Sequence, residues 1–508
     1  MKFIKIKDLL LVLSSALLLA LSFPKFNLQF LAWFAFVPFF LALDGKKLIE
    51  RCLCGFIFGA TFFSIVLYWM FNISVPGMIL LVIIMSSYSL IFSVLMPFSY
   101  RKKIFSVLIV ASIWCVTEFL RSMLFSGFPW ALLGYSQHLN IPLIQISDIT
   151  GVYGVSFIII CVNFCIFRFI KKDKLNKVHA IVTLVLLLVF LFYGHSKVRE
   201  DEKGSKELGV AVIQGNIPQH LKWDDAFKTR IIDTYANLSK DALKFSPKLI
   251  IWPETSVPGI LQFEKDMGDS LKALAMKNQT NFLLGTIREE NDNYYNSAAL
   301  LSKEGEIVKN YDKIHLVPFG EYIPFESYFT SLRNSIDKPI GNYSKGRDYT
   351  IFRIDVQHTK DFRSSIVKEI SFFKFGCLIC YEDIFPGLVR QFVLKGASFV
   401  VNITNDAWFG KTAAPYQHMQ ASVFRAVENR VPVIRAANTG VSCFISDKGL
   451  IINRVFENGS DIFVEGFCVN RIKVKNKRHS FYTRYGDVFI VFCFIMMLLP
   501  FLPRKKVT

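Results

Sequence analysis

Charge is scarce in this 508-residue chain: Asp, Glu, Lys and Arg make up 19% of it, against roughly 25% in an average soluble domain. Acidic residues are the scarcer sign, 40 against 59 basic, which leaves a formal net charge of +19. The glycine-rich loops of nucleotide sites and the HExxH pair of metalloproteases are missing. One Cys-x-x-Cys pair occurs, Cys377 and Cys380, but a four-ligand zinc site needs a second pair, and Cys443 and Cys468 are too scattered to supply it. No cofactor and no metal are expected. There is no internal repeat and no low-complexity tract. What abounds is apolar: 52% hydrophobic residues, including 51 Phe.

Helices of about 17–25 apolar residues cross a bilayer core. Seven such stretches precede residue 200, at about 9–23, 28–43, 52–72, 76–98, 104–122, 152–169 and 178–194, and an eighth runs over 486–502. The first two are short and separated only by Pro24 to Asn27, which reads as a helical hairpin. Ser22-Phe23-Pro24-Lys25 offers no small-x-small cleavage site, so the first apolar run is expected to stay as an uncleaved span. With eight spans both termini share a side, and that side collects the basic runs Lys2–Lys7, Lys46–Arg51, Arg101–Lys103, Arg168–Lys177 and Arg504–Lys506. Outside the 195–484 insert only Lys25 and Arg121 fall elsewhere. The positive-inside rule then puts both termini in the cytoplasm and the insert outside. The basic excess therefore needs no nucleic acid. Three units are expected: a transmembrane domain over 1–194, an extracytoplasmic domain over 195–484, and a last span with a tail over 485–508.

The insert alternates strand-like and helix-like runs. Strands are predicted at 207–216, 247–254, 280–288, 298–302, 374–382, 397–406, 431–440 and 441–447, with helices at 224–245, 264–277 and 415–430. The stretch 325–370 reads as a long loop or arm. An α/β domain with largely buried strands is predicted, large enough to fold around its own core.

Three strand ends carry polar groups where α/β sheets place their sites: Glu254 in IWPETSVP, Lys313 in NYDKIHLVPFGEYIP, and Cys380 in KFGCLICYED. Each has an ordinary reading as well, as a solvated rim residue, a surface lysine or a core thiol. Cys377 and Cys380 lie in an apolar run, and alternation over three residues points them to opposite faces of a strand, unlike a redox pair on a loop that opens a helix. Together the three groups make chemical sense. A thiol attacking a carbonyl needs a base for its proton, and the oxyanion that follows needs a cation or hydrogen-bond donor.

WPE (252–254), the Lys313 segment and CYED (380–383) resemble the Glu–Lys–Cys triad of the carbon–nitrogen hydrolase (nitrilase) superfamily. IQGNIPQHLKWD (213–224), HLVPFGEYIP (315–324), NDAWFGKTAAPYQH (405–418), RAANTGVSCFISDKG (435–449) and the membrane segment TEFLRSMLFSGFPWALLGYSQ (117–137) are similar to its membrane-embedded branch, the apolipoprotein N-acyltransferases. The resemblance covers nearly the whole chain.

It implies an α-β-β-α sandwich joined to a polytopic helical membrane domain, with Glu254 as base, Lys313 as oxyanion stabiliser and Cys380 as nucleophile. Further residues on which activity depends would be Trp223, Glu321, Tyr381 and Glu382, although Trp223 also reads as ordinary core packing. The implied reaction moves an acyl chain from a phospholipid of the phosphatidylethanolamine type, through a thioester on Cys380, to the amine of a diacylglyceryl-cysteine at the N-terminus of an apolipoprotein. It also implies a monomer in the bacterial inner membrane, with the catalytic domain in the periplasm.

Phe319, Tyr322, Phe325, Tyr328 and Phe329 are candidates to line a lipid-facing mouth or, equally, to pack the arm onto the domain. Glu118 and Arg121 are ionisable at membrane depth, and read as a functional pair or as a structural i, i+3 ion pair. The segment 353–373 is longer and more charged than the family pattern. Two rival functions stay open on the residues alone: a membrane-tethered amidase in which water resolves the thioester, and a binding protein on a catalytically dead domain.

Overall fold

The computed structural model describes residues 4–200, 204–222, 224–259, 265–322, 342–362, 365–475 and 479–502. Among the described residues five helices are long and apolar enough to cross a membrane: Leu48–Val66, Val75–Arg101, Lys103–Ser126, Val152–Ile170 and Asn176–Arg199. Gln29–Leu43 and Val488–Phe501 are shorter apolar helices, and Ile6–Leu21 is a further one of 16 residues. The helix Asn176–Arg199 turns Ile181, Leu184, Leu188 and Phe192 outward, an apolar surface suited to lipid rather than water.

Small residues set the closest helix approach. A Cβ on Gly55 would stand 2.3 Å from the Ser93 hydroxyl, and one on Gly59 would stand 2.7 Å from the Ser86 main chain, as expected where packing rather than the hydrophobic effect joins helices. The helix broken between residues 29 and 43 is held by side chains. The Asn163 amide accepts from the Phe36 N–H and donates to the Ala32 carbonyl, each at 2.8 Å. Irregular backbone among apolar helices is tolerated only where its polar groups are satisfied in this way.

The described residues between the helices Asn176–Arg199 and Val488–Phe501 form a sandwich of two six-stranded sheets. In chain order the strands are β1 Lys206–Gln214, β2 Leu249–Ile251, β3 Asn281–Glu290, β4 Asn293–Leu301, β5 Ile307–Asp312, β6 Ile351–Phe362, β7 Ser365–Ile379, β8 Phe399–Thr404, β9 Val433–Ala437, β10 Cys443–Ile445, β11 Ile451–Arg454 and β12 Gly466–Val474. One sheet runs β12-β1-β2-β3-β4-β5 and the other β11-β10-β9-β8-β7-β6. Each has a parallel heart, β1-β2-β3 and β7-β8-β9, with antiparallel strands outside it. The central parallel strands are mostly apolar and wholly buried, as LII in β2 and FVVNIT in β8, because both of their faces are covered.

Residue parity decides which layer each side chain joins. Val210, Val212, Leu249, Ile251 and Leu283 enter the core shared with the second sheet. Their neighbours Ala211, Ile213, Ile250 and Leu284 pack against Ile231, Tyr235 and Leu271 of the helices Lys228–Leu243 and Lys265–Asn278. The second sheet is covered by the helices Pro386–Leu394 and Ala414–Asn429.

Two sequence expectations change. The stretch 325–370 is not all loop, because from Ile351 it is the outer limb of an antiparallel hairpin, registered from Ile351 opposite Gly376 to Phe362 opposite Ser365. Phe352, Ile354 and Val356 are buried and alternate with exposed Arg353 and Asp355, a half-buried strand pattern diluted by charge. The described residues of the long charged segment 353–373 belong to this hairpin. Second, the strand predicted over 374–382 stops at Ile379, and Cys380 lies in the turn that follows.

Candidate active site

Glu254, Lys313 and Cys380 each follow a strand, β2, β5 and β7 respectively. Cys380 has φ of 56°, and the site loops hold two more non-glycine residues in the left-handed region, Thr255 at 49° and Phe319 at 61°. Such backbone persists only where the surroundings over-determine it, and it concentrates at functional sites. At Cys380 it lifts the thiol out of the strand's alternation, so the relation to Cys377 is not one of opposite strand faces. Cys377 remains in the β7–β8 ladder opposite Val401 and is wholly buried. The Cys380 carbonyl accepts from the Asn402 amide at 3.1 Å.

The Glu254 carboxylate is buried and oriented at both oxygens. Oε1 accepts from the Asn296 amide at 2.8 Å and Oε2 from the Asn405 N–H at 2.9 Å. Lys313 Nζ lies 3.6 Å from Glu254 Oε1 and 2.9 Å from Glu321 Oε1. Glu321 Oε1 also accepts from Asn296 at 2.8 Å, and its Oε2 accepts from the Val317 N–H at 2.8 Å. Burial disfavours the Lys313 charge, but Glu321 and Glu254 outweigh it and hold the ammonium well above its ordinary range. Burial pushes the Cys380 thiol up and the Glu254 charge adds to this, while Lys313 opposes. The resting thiol is therefore neutral, next to a carboxylate able to take its proton and a fixed cation.

Glu382 joins the Lys313 loop to the Cys380 turn. Its carboxylate accepts from the Tyr311 hydroxyl and from the Ile314, His315 and Ile379 N–H groups, all within 2.9 Å. Burial raises it to about 7 despite those donors. Tyr381 donates to the Leu316 carbonyl at 2.6 Å and places its ring 5.6 Å from Lys313 Nζ. Trp223 lies outside the described residues, as do Phe325, Tyr328 and Phe329; Phe319 is half exposed and Tyr322 partly buried.

Three participants were not singled out from the sequence. Asn296 and Asn405 orient Glu254, and the Lys222 amine donates to the Glu254 carbonyl at 2.9 Å. Lys222 and Asn405 stand inside segments whose resemblance was noted, which was the available signal.

Beneath the nucleophile lies a second charged cluster. His418 bonds Asp383 at 2.8 Å through Nε2 and Asp406 at 3.0 Å through Nδ1. Asp383 also accepts from Arg435 at 2.5 Å and from Ser422. Neighbouring Gln417 reaches into the helical part: its Oε1 accepts from Trp130 at 2.8 Å and Trp69 at 3.0 Å, and its amide donates to the Val66 carbonyl at 3.1 Å. Glu118 and Arg121 pin the segment bearing Trp130. Arg121 donates to the Phe128, Trp130 and Ala131 carbonyls within 3.1 Å, and Glu118 accepts from the Leu133 N–H at 2.7 Å. Their own ion pair spans 3.8 Å.

Comparison with known proteins finds two family models on separate stretches of the chain. Residues 15–165 match the family model "Apolipoprotein N-acyltransferase N-terminal domain" and residues 209–465 match "Carbon-nitrogen hydrolase". A protein of Geobacter metallireducens named apolipoprotein N-acyltransferase is 37% identical over 96% of this chain and 93% of its own length. One of the same name from Pasteurella multocida is 30% identical over 88% of this chain and 87% of its own. Among solved structures, a nitrilase-superfamily amidase of Nesterenkonia aligns at 16% identity with a TM-score of 0.38, over 56% of this chain and 94% of its own.

Proposed function

Because the chain belongs to the apolipoprotein N-acyltransferase family, we propose that it performs that acyl transfer with Cys380 as nucleophile, Glu254 as general base and acid, and Lys313 as oxyanion stabiliser. The observation that carries this reading is the 3.6 Å approach of Lys313 to Glu254 beside a thiol held neutral on a left-handed turn.

In the first half-reaction Glu254 takes the Sγ proton and the sulfur attacks an ester carbonyl of the phospholipid. The negative charge on the carbonyl oxygen is met by the Lys313 ammonium. Collapse breaks the ester C–O bond, and the departing alkoxide takes the proton from Glu254 and leaves as a lysophospholipid. In the second half-reaction the α-amine of the lipoprotein's diacylglyceryl-cysteine attacks the thioester. Its proton passes to Glu254, and collapse releases the Cys380 sulfur, which recovers the proton. Glu321 and Glu382 hold Lys313 and the turn in register, and Tyr381 walls the site.

Both substrates carry acyl chains, and drawing a chain into water costs about 0.8 kcal/mol per CH₂. A site joined directly to the apolar helices through Gln417 avoids that cost. An integral membrane protein with this chemistry fits the bacterial inner membrane, with 195–484 in the periplasm, both termini cytoplasmic, a monomeric state and a phosphatidylethanolamine-type donor.

The test is direct. Purified full-length protein is incubated with acyl-labelled phospholipid, and intact mass is measured before and after adding a diacylglyceryl lipopeptide. A thioester on Cys380 followed by N-acylated peptide is expected. Hydrolysis to free fatty acid with no transfer to peptide would make it an amidase-like hydrolase instead. Reporter fusions near residue 203 and after residue 506 check the topology, the first expected to be active outside and the second in the cytoplasm.

A further inference from the structure

Lys222 is 2% exposed, in the loop that follows β1. The other buried Lys and Arg side chains among the described residues each have a carboxylate within 4.0 Å: Arg121 with Glu118, Lys313 with Glu321, Arg425 with Glu428 and Arg435 with Asp383. Lys222 has none there; its described partner is the main-chain carbonyl of Glu254, at 2.9 Å. A buried amine with no carboxylate in direct contact is costly to keep, and the place it occupies makes the exception informative. Neighbouring Gln219 accepts from the Asn405 side chain at 2.6 Å, and the Asn405 N–H orients Glu254 Oε2. The loop thus reaches the base twice, once through its main chain and once through its carboxylate.

We propose that Lys222 is a positioning residue for the acyl transfer, acting through Glu254. Its amine fixes the Glu254 main chain at the entry to the left-handed Thr255 turn, and it sets a positive charge beside the carboxylate that takes the Cys380 proton. The inference rests on the catalytic reading above.

The groups facing Glu254 are few. Lys313 and Glu321 come from the segment after β5, Tyr343 from the segment before β6, Lys222 from the loop after β1, and Cys380 from the turn after β7, with Asp406 after β8 acting on the sulfur. Burial brings the Lys222 amine down to about 8, against the opposing charges of Glu254 and Cys380. The amine is therefore largely protonated at neutral pH. A cation beside a carboxylate lowers the pH at which the carboxylate takes up a proton, so removing it moves the acid limb of the reaction upward.

Lys222→Gln keeps a donor for the Glu254 carbonyl and removes the charge, Lys222→Met removes both, and Lys222→Arg keeps the charge. For each full-length variant two pH profiles are measured: kcat/KM for loading from labelled phospholipid, and the rate of Cys380 alkylation by iodoacetamide, read by mass. The acid limb of loading is expected to move up by about one pH unit in Gln and Met, which is about tenfold at a fixed pH on that limb; Arg is expected to keep the wild-type limb. Alkylation of Cys380 should slow in the same two variants.

A Lys222→Gln profile with the wild-type limb overturns the proposal, whatever its plateau rate, because the lysine would then be only a hydrogen-bond donor. If the Arg variant fails to fold, the Gln profile still decides. Failure of the catalytic reading is distinguishable, since wild-type protein would then not load from phospholipid although its Cys380 alkylation still depended on Lys222.

Discussion

Two buried charge clusters start three residues apart in the chain, one around Cys380 and one around Asp383, and they are built to opposite ends. Around Cys380 the charge states are mixed: the thiol is neutral, Glu382 lies at about 7 and Lys222 at about 8, and Lys313 is held as a fixed cation. Around Asp383 everything is locked in the charged form. Burial works against charge on both partners. Even so, His418 and Arg435 hold Asp383 at about 2, and Asp383 and Asp406 hold His418 at about 9. The first cluster has to change its charge during each turnover and the second must not. A left-handed turn carrying a reactive thiol needs a rigid footing, and a permanently ionised network beneath it provides one.

Substitutions on the two sides should therefore fail differently. The largest effect is expected for Cys380→Ala, which should abolish both loading and transfer, while Cys377→Ala keeps most activity and loses only core packing. Loading that survives in Cys380→Ala and vanishes in Cys377→Ala would reverse the assignment. Glu254→Gln and Lys313→Met should reach the membrane folded and load roughly 10²–10³-fold more slowly, the size of effect seen when one oxyanion donor is removed; near-normal loading in either would take that residue out of the site.

On the locked side the loss should appear as stability. Asp383→Asn leaves His418 and Arg435 without their main counter-charge, and breaking a buried pair costs about 3–5 kcal/mol, which a thermal unfolding scan would register. The pH dependence has a definite sign. The His418 folded-state value of about 9 exceeds its ordinary 6.5. Its contribution is thus complete below about 6.5 and is lost as pH rises through about 9. The wild-type midpoint should fall over that window relative to His418→Gln, and parallel profiles would show that His418 is not ionised. The smallest effect is expected at the contact between the two parts: Trp130→Phe removes one hydrogen bond to Gln417, worth about 1 kcal/mol, with little change in loading.

The reactive side of this comparison was the more legible in the sequence. Glu254 and Cys380 stand out because each closes an apolar run, and Lys313 because it falls in a segment that resembles the family pattern with Glu321 eight residues on. Glu321 and Glu382 were added by resemblance to a family pattern. Lys222, Asn296 and Asn405 were overlooked for a physical reason: their roles depend on which strand ends converge, and nothing local distinguishes a lysine that reaches a carbonyl 32 residues away from one that reaches water. The left-handed φ of Cys380 leaves no trace in residue type either, and the strand therefore read as running on to residue 382. In the fold, apolar β2 and largely apolar β8 were clear, whereas the β6–β7 hairpin was obscured by charges on its exposed positions. The locked cluster went unread because His418, Asp406 and Arg435 come from three elements that only the second sheet brings together.

The helix Ala414–Asn429 has a practical consequence. Every residue of it except Tyr416 is buried, although it lies on the outside of the sandwich, because its far side is roofed by the segment bearing Trp130 and by the helices at Trp69 and Val66. Excising residues 195–484 as a water-soluble fragment would uncover Phe424, which packs on Tyr135, and His418, which packs on Trp130, and strip Gln417 of its partners. The two halves named by separate family models are thus not interchangeable modules. Attempts to graft this catalytic half onto another anchor, or to crystallise it alone, should yield aggregates unless that face is redesigned to meet solvent.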